Sequence, residues 1–309
     1  MSRVSWQYVY GPVPSRRLGR SLGIDLVPPK TCTFDCVYCQ LGRTTCRTLH
    51  RDVYHPVEPM LVELGEALAA NAAPDYITLA GSGEPTLHSQ LADIVAGVRK
   101  RTTVPVVVLT NGSLLWDEDV RRACAQADAV LPTLAAHDEA TFQRVHRPAA
   151  GLSLARHIDG LLAFTRESNT PLWLELFLLA GINDSPDDLE AFAGLIERIR
   201  PERVHLNTAV RPTSDRDIRP VSAETLAAWA ERLGPAAEVI VELARETGPD
   251  ADAAEADVLA LCRRRPCTIE HIATGLGVHP NVVIKHVGHL REQGRLRSEW
   301  RDGREFFVA

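Results

Sequence analysis

The chain has 309 residues, 45% of them hydrophobic and 24% charged, and a formal net charge of −6. That composition is ordinary for a globular protein with ample core, and the length predicts one large α/β domain plus a small one. The acidity gives no support to a protein dominated by nucleic-acid binding, since such chains tend to be basic. No apolar run approaches the ~18 residues a membrane span needs, and without a basic, apolar leader the expected location is a reducing cytoplasm.

The stretch Tyr10-Gly-Pro-Val-Pro-Ser-Arg-Arg-Leu-Gly-Arg20 reads as a turn-rich lead-in. Its Arg16, Arg17 and Arg20 suit carboxylates or phosphates, or form a solvated basic stretch. Residues 22–27 make a short apolar strand that Pro28-Pro29 ends. Lys30-Thr-Cys-Thr-Phe-Asp-Cys-Val-Tyr-Cys-Gln40 follows, with Cys32, Cys36 and Cys39 spaced C-x3-C-x2-C. Three thiols so close together wrap one inorganic centre, and thiolates suit iron–sulfur clusters or zinc. A [4Fe–4S] cluster normally takes four cysteines, so three leave one iron for a ligand from outside the protein. Structural zinc with Cys46 as fourth ligand is the alternative, but such sites usually pair two hooks further apart. Disulfides fit poorly with seven cysteines, an odd count.

The C-x3-C-x2-C loop with Tyr38 before its last cysteine resembles the radical S-adenosylmethionine (SAM) superfamily. The resemblance implies a [4Fe–4S] cluster on Cys32, Cys36 and Cys39, with SAM chelating the fourth iron and Tyr38 flanking it. It also implies a reductant such as flavodoxin or ferredoxin. Gly-Pro-Val-Pro-Ser-Arg-Arg-Leu-Gly, ending at Gly19, resembles one branch of that superfamily, which includes the tRNA wyosine-base (4-demethylwyosine) synthases.

Strands and helices then alternate. A helix of period 3.6 covers 57–70, and a strand at 76–80 runs into Gly81-Ser-Gly-Glu-Pro85. Small residues there expose backbone groups to a ligand, and no Gly-Lys-Ser/Thr follows, so this is not a phosphate loop. The resemblance implies that Gly81, Ser82, Gly83, Glu84 and Pro85 fix the SAM amino group, with Ser82 in place of a glycine. A buried strand at 104–109 ends in Thr110-Asn-Gly-Ser113, where Asn111 either contacts a ligand or caps the turn; the resemblance favours SAM. The strand at 129–134 ends in Leu131-Pro-Thr-Leu-Ala-Ala136, where relatives usually carry Ser-Leu-Asp-Ala. Thr133 can replace the serine hydroxyl, whereas Ala135 replaces the aspartate.

A helix over 138–146 leads to His146 and Arg147, candidates for the rim of the site. In the strand at 172–179, Glu175 needs a partner if it points inward. Gly181-Ile-Asn-Asp184 resembles a turn of the same branch. A helix at 187–199 precedes the strand at 204–207 and Thr208-Ala-Val-Arg-Pro212. There Asn207 and Arg211 are the candidates for supporting adenine or the SAM carboxylate, an Arg–carboxylate contact being charge-assisted. Alternation over 20–235 implies a parallel sheet with helices outside, and roughly six units fall short of a closed eight-fold barrel. The expected fold is therefore α/β, a partial (β/α)6 TIM-type barrel. The resemblance adds a lateral mouth open to a large substrate.

Residues 247–254 read as a linker that divides a domain at 1–246 from one at 255–309. The second domain is expected to be a small winged helix-turn-helix: a helix at 256–265, a second N-capped by Thr268 and ended at Gly277, a third opened by His279-Pro280-Asn281, then a hairpin turning at 302–303. Over 253–309 it carries nine Lys/Arg and seven Asp/Glu, a net of +2. Asn281, Lys285, His286 and His289 are candidates for a nucleic-acid groove; a protein-docking or lid role is equally open. Cys124, Cys262 and Cys267 read as core thiols, and Cys46 as a surface thiol.

The expected function is a radical SAM enzyme acting on tRNA, another nucleotide or a peptide, with no further catalytic residue assigned. An iron–sulfur redox-sensing, DNA-binding regulator is the alternative. Demethylwyosine itself is not the expected product. The synthases carry extra N-terminal cysteines and a Schiff-base lysine, whereas here no cysteine precedes Cys32 and the only lysines are Lys30, Lys100 and Lys285.

Overall fold

The computed structural model describes the chain apart from residues 1–6, 16, 71–73, 211–212, 241–254, 277, 279 and 302, so the expected linker and Arg211 lie outside the described residues. Strands β1 (Val9–Ser15) and β2 (Gly19–Ile24) form an antiparallel pair. Two short strands, β3 (Thr31–Cys32) and β4 (Cys46–Arg47), brace the cysteine loop. Then come α1 (Val57–Ala70), β5 (Tyr76–Leu79), α2 (Leu91–Arg99), β6 (Val106–Thr110), α3 (Glu118–Cys124) and β7 (Ala129–Leu134). Helices α4 (Glu139–His146) and α5 (Leu154–Glu167) lead to β8 (Trp173–Leu178), α6 (Pro186–Ile199), β9 (Arg203–Thr208), α7 (Ala223–Leu233) and β10 (Ala237–Val239).

The main sheet has the order β1-β2-β5-β6-β7-β8-β9-β10. From β2 to β10 every neighbouring pair is parallel. This is an α/β fold of the kind seen in partial TIM barrels, with helices between strands as the alternation implies. Two strands go beyond the six expected. β1 pairs in the sheet despite its prolines, because an edge strand loses little when an N–H is missing. β10 has only three residues, too few to give a sequence period. The first parallel strand ends at Ile24 rather than at Pro28, and Asp25 turns its side chain into a buried site.

Strands β7 and β8 are buried along their whole lengths, which is why they read as continuous apolar runs. Met60, Leu64, Ile94, Val98, Phe164 and Phe192 pack the helices against the sheet. Ser153 caps α5, and Ser185 with Asp188 forms a capping box at α6, satisfying N–H groups the first turn leaves unpaired.

The C-terminal residues fold as α8 (Glu255–Arg264), α9 (Ile269–Leu276), α10 (Pro280–Glu292) and an antiparallel hairpin of β11 (Arg297–Arg301) and β12 (Arg304–Val308). They own a separate apolar cluster built from Val258, Cys262, Ile272, Val287, Leu290 and Phe307 among others. α9 packs on β1. The Arg264 guanidinium sits 4.3 Å above the Tyr10 ring, and that ring lies so close to Gly23 that a Cβ there would meet it at 2.1 Å. On the other flank Arg301 donates to Thr213 Oγ1 (3.2 Å) and to the Ile218 carbonyl (2.8 Å), in the loop after β9. Among the described residues no helix is long and apolar enough to cross a membrane.

Candidate active site

The cysteine loop lies at the C-terminal end of the strands, where barrels of this type build their sites. Neighbouring segments pin its backbone. Thr45 and Cys46 N–H groups donate to the Lys30 carbonyl (3.2 and 3.0 Å), and Asp35 and Val37 N–H groups donate to His146 and Val145 (2.8 and 2.9 Å). From the loop after β9, Ser214 Oγ donates to the Cys36 and Val37 carbonyls (2.8 and 2.9 Å), while its N–H donates to Cys39 (2.9 Å). Arg147 forms a two-pronged ion pair with Asp215, one prong at 3.0 Å, and so ties the end of α4 to that loop.

The thiols of Cys32, Cys36 and Cys39 are free. Burial pushes the Cys32 thiol up to about 12, with Glu84 adding to it. Burial also raises Cys36 well above its usual range, and negative charge on Cys32 and Cys39 adds to the shift. Cys39 is raised too, again by burial. Burial disfavours the thiolate at all three positions, and coordination to a metal centre would deprotonate them outright. Among the described residues no three Cys, His, Asp or Glu side chains already converge on a single ion-sized point. Ligands to different corners of a cluster stand further apart than ligands to one ion, so this soft donor set fits an iron–sulfur centre. Asn111 Nδ2 lies 3.5 Å from Cys32 Sγ, and His146 Nδ1 lies 3.2 Å from Cys36 Sγ.

The Gly81–Pro85 segment is bonded directly to the cysteine loop: Lys30 N–H donates to the Ser82 carbonyl (2.7 Å) and Glu84 N–H to the Thr31 carbonyl (3.0 Å). A Cβ on Gly83 would stand 2.0 Å from the Thr31 oxygen, and one on Gly81 would meet the Asp25 carboxylate at 2.4 Å. Ser82 is held by Asp25, to which it donates its hydroxyl (2.6 Å) and its N–H (3.0 Å). Glu84 is buried and receives Thr86 Oγ1 (2.5 Å), Thr110 Oγ1 (2.5 Å) and the Asn111 N–H (2.8 Å). Its carboxylate thus fastens β6 to this turn. Pro85 begins a buried single turn.

Thr133 and Asn207 are likewise directed at a protein carboxylate. Thr133 Oγ1 donates to Glu175 Oε2 (2.7 Å), and Asn207 Nδ2 to Glu175 Oε1 (2.7 Å). Arg17 Nη1 completes the group at 2.5 Å from Oε1. Glu175 thus has the partner its inward position demanded. Sequence reasoning missed Arg17 as that partner, because the pair is 158 residues apart. It missed Asp25 as well, which carries no motif of its own.

These elements surround a cavity of about 340 Å³ lined by, among others, Tyr38, Cys39, Gly81, Glu175, Phe177 and Asn207. The Tyr38 ring stacks on Phe177 at 4.1 Å. Of the sequence candidates, Arg17, Tyr38, Cys39, Gly81, Glu175 and Asn207 reach the cavity wall, while Cys46 is exposed. Beneath the cysteine loop Phe34, Phe142, His146 and His157 form an aromatic group. Burial pulls the His146 imidazole down to about 3 and His157 to about 4, so both are neutral.

A partial parallel barrel with a three-thiol loop at its C-terminal mouth defines the class, and comparison with known proteins agrees. Residues 26–196 match the Radical SAM superfamily, and the chain belongs to that family. Across 97% of its length it is 32% identical to UPF0026 protein MJ1312 of Methanocaldococcus jannaschii, covering 95% of that protein. It is 34% identical over 96% of its length to a protein named GTPase Obg from Brachyspira hyodysenteriae, but spans only 44% of that longer chain. Among solved structures, TYW1 with a lysine–pyruvate adduct superposes with a TM-score of 0.52 at 17% identity, over 72% of this chain and 75% of that one. The protein is a radical SAM enzyme. The regulator alternative finds no support in these matches.

Proposed function

We propose that Cys32, Cys36 and Cys39 hold a [4Fe–4S] cluster whose remaining iron takes SAM, and that the substrate occupies the cavity beside Cys39. What supports this most is the way residues of β2, β5, β6, β8 and β9 line one space whose wall includes Cys39. When bound, the cluster and SAM supply reductive cleavage to methionine and a 5′-deoxyadenosyl radical that removes a substrate hydrogen.

The chain's own residues bind and orient. Asn111 and His146 approach two of the sulfurs, where hydrogen bonding tunes a cluster's potential. Tyr38 and Phe177 give an apolar shelf that excludes water. Main-chain groups of Gly81–Gly83, held by Asp25 and Thr31, are the proposed contacts for the SAM amino group, with Glu84 positioning Asn111. An external reductant such as flavodoxin or ferredoxin supplies the electron. The test is anaerobic reconstitution with dithionite and SAM: 5′-deoxyadenosine should be released by the wild type and lost in C36A.

We also propose that residues 255–309 form a winged helix-turn-helix domain behind a linker. Its helix order and hairpin support this, although His289 is engaged with Glu255 rather than held out for a groove. The protein does not make demethylwyosine in this reading, and among the described residues that line the cavity there is no lysine. Formation of that base from guanosine-methylated tRNA and pyruvate would overturn it.

A further inference from the structure

Two side chains of the C-terminal unit reach segments that shape the cysteine loop. Arg264, at the end of α8, is the first. Its guanidinium stacks on the Tyr10 ring at 4.3 Å, and its Nε lies 4.0 Å from Asp25 Oδ2. The two charged side chains are only 17% and 10% exposed, so salt screens their attraction little. Among the described residues Arg264 Nε makes no hydrogen bond, so its pull on Asp25 is one of charge and not of a directed bond.

Asp25 in turn fixes the turn after β5. Its Oδ2 accepts the Ser82 hydroxyl (2.6 Å) and its Oδ1 the Ser82 N–H (3.0 Å). A Cβ on Gly81 would meet the same carboxylate at 2.4 Å, so the turn is fitted round it. The Ser82 carbonyl then accepts the Lys30 N–H (2.7 Å), where the cysteine loop begins. Burial pushes the Asp25 carboxyl above its usual range, and the Ser82 bonds and the Arg264 charge oppose that rise. Arg264 thus favours the ionised form, whose two oxygens both accept.

Arg301, on β11, is the second. It donates to Thr213 Oγ1 (3.2 Å) and to the Ile218 carbonyl (2.8 Å). Thr213 Oγ1 donates onward to the Asp215 carbonyl (2.8 Å). Ser214 Oγ holds the Cys36 and Val37 carbonyls, and the Asp215 N–H donates to Val37 (3.1 Å). Ile218 shares an apolar cluster with Val37 and Phe177, against which Tyr38 packs. The two arginines therefore end on different targets: one on the turn assigned to SAM, the other on the clasp over the cluster thiols.

We propose that the C-terminal unit is a working part of the radical SAM site. Arg264, through Asp25, positions the Gly81–Gly83 turn for SAM, and Arg301, through Thr213, holds the clasp on the cysteine loop. Both are positioning residues. The proposal rests on the radical SAM reading, which gives the turn to SAM and the three thiols to the cluster.

The test separates the two effects in the anaerobically reconstituted full chain. R264M keeps a stem over Tyr10 and removes the charge, whereas R264K keeps the charge; R301M and R301K do the same at the other contact. SAM affinity, measured by equilibrium dialysis and normalised to iron content, should weaken about fivefold in R264M and stay close to the wild type in R264K, with cluster loss under a chelator unchanged. In R301M cluster loss, followed by bleaching, should run about threefold faster, with R301K nearer the wild type and SAM affinity unchanged. A merely structural role would move both readouts together in both variants, and that result overturns the proposal. So does an R264M that binds SAM as tightly as the wild type, or an R301M that loses its cluster no faster. Where limited proteolysis finds R264M undocked, R301M carries the test. Iron uptake and release of 5′-deoxyadenosine by the wild type are measured apart: failure there removes the radical SAM reading itself, whereas a competent wild type with unaltered variants removes only this proposal.

Discussion

Gly83 faces the Thr31 carbonyl with no space for a side chain. In G83A the added methyl must push the cysteine loop away, at a cost of about 1–3 kcal/mol for overpacking. The expected result is a folded protein whose iron content after reconstitution falls severalfold, read by metal analysis and visible absorbance. At Glu175 the effect is on stability. E175Q keeps the shape but leaves Arg17 without its counter-charge, and removing one partner of a partly buried pair should cost about 2–3 kcal/mol in urea unfolding. His157 makes the chain acid-sensitive. Its folded pKa, near 4, lies below the ordinary 6.5 because of burial, so its contribution to stability is present above pH 6.5 and lost as pH falls towards 4. About 2 kcal/mol should go between pH 7 and pH 5, and H157F should flatten that part of the profile.

At the scale of elements, the loop after β9 acts as a clasp on the cysteine loop through Ser214 and Asp215. S214A should cost about 1 kcal/mol and make cluster loss under a chelator faster than in the wild type, followed by bleaching. The parallel strands were legible in the sequence because each is a short apolar run closed by small or polar residues: Ala80-Gly81 after β5, Asn111-Gly112 after β6. β1 was not, since Pro12 and Pro14 spoke for a turn and only pairing with β2 makes a strand of it. The three thiols were legible from spacing alone. The partners of Glu175, Ser82 and Glu84 were not, because each depends on which strand ends become neighbours.

Taken whole, the C-terminal unit has an apolar cluster of its own, separate from the large one of the barrel, and it meets the barrel through α9 on β1, the Arg264–Tyr10 stack and the Arg301 bonds. Interfaces of that kind separate more readily than cores melt. Calorimetry should therefore show the C-terminal unit unfolding ahead of the barrel, and Y10A should widen the gap between the two transitions.

The β1 flank carries a further meaning. An open sheet offers its outermost backbone to any passing chain, and proteins guard against this by shortening the rim or roofing it over. Here one rim, β10, is three residues long, and the other lies beneath α9. Stripping away that roof would turn β1 into a template for stacking copies, so the appended helices also guard solubility.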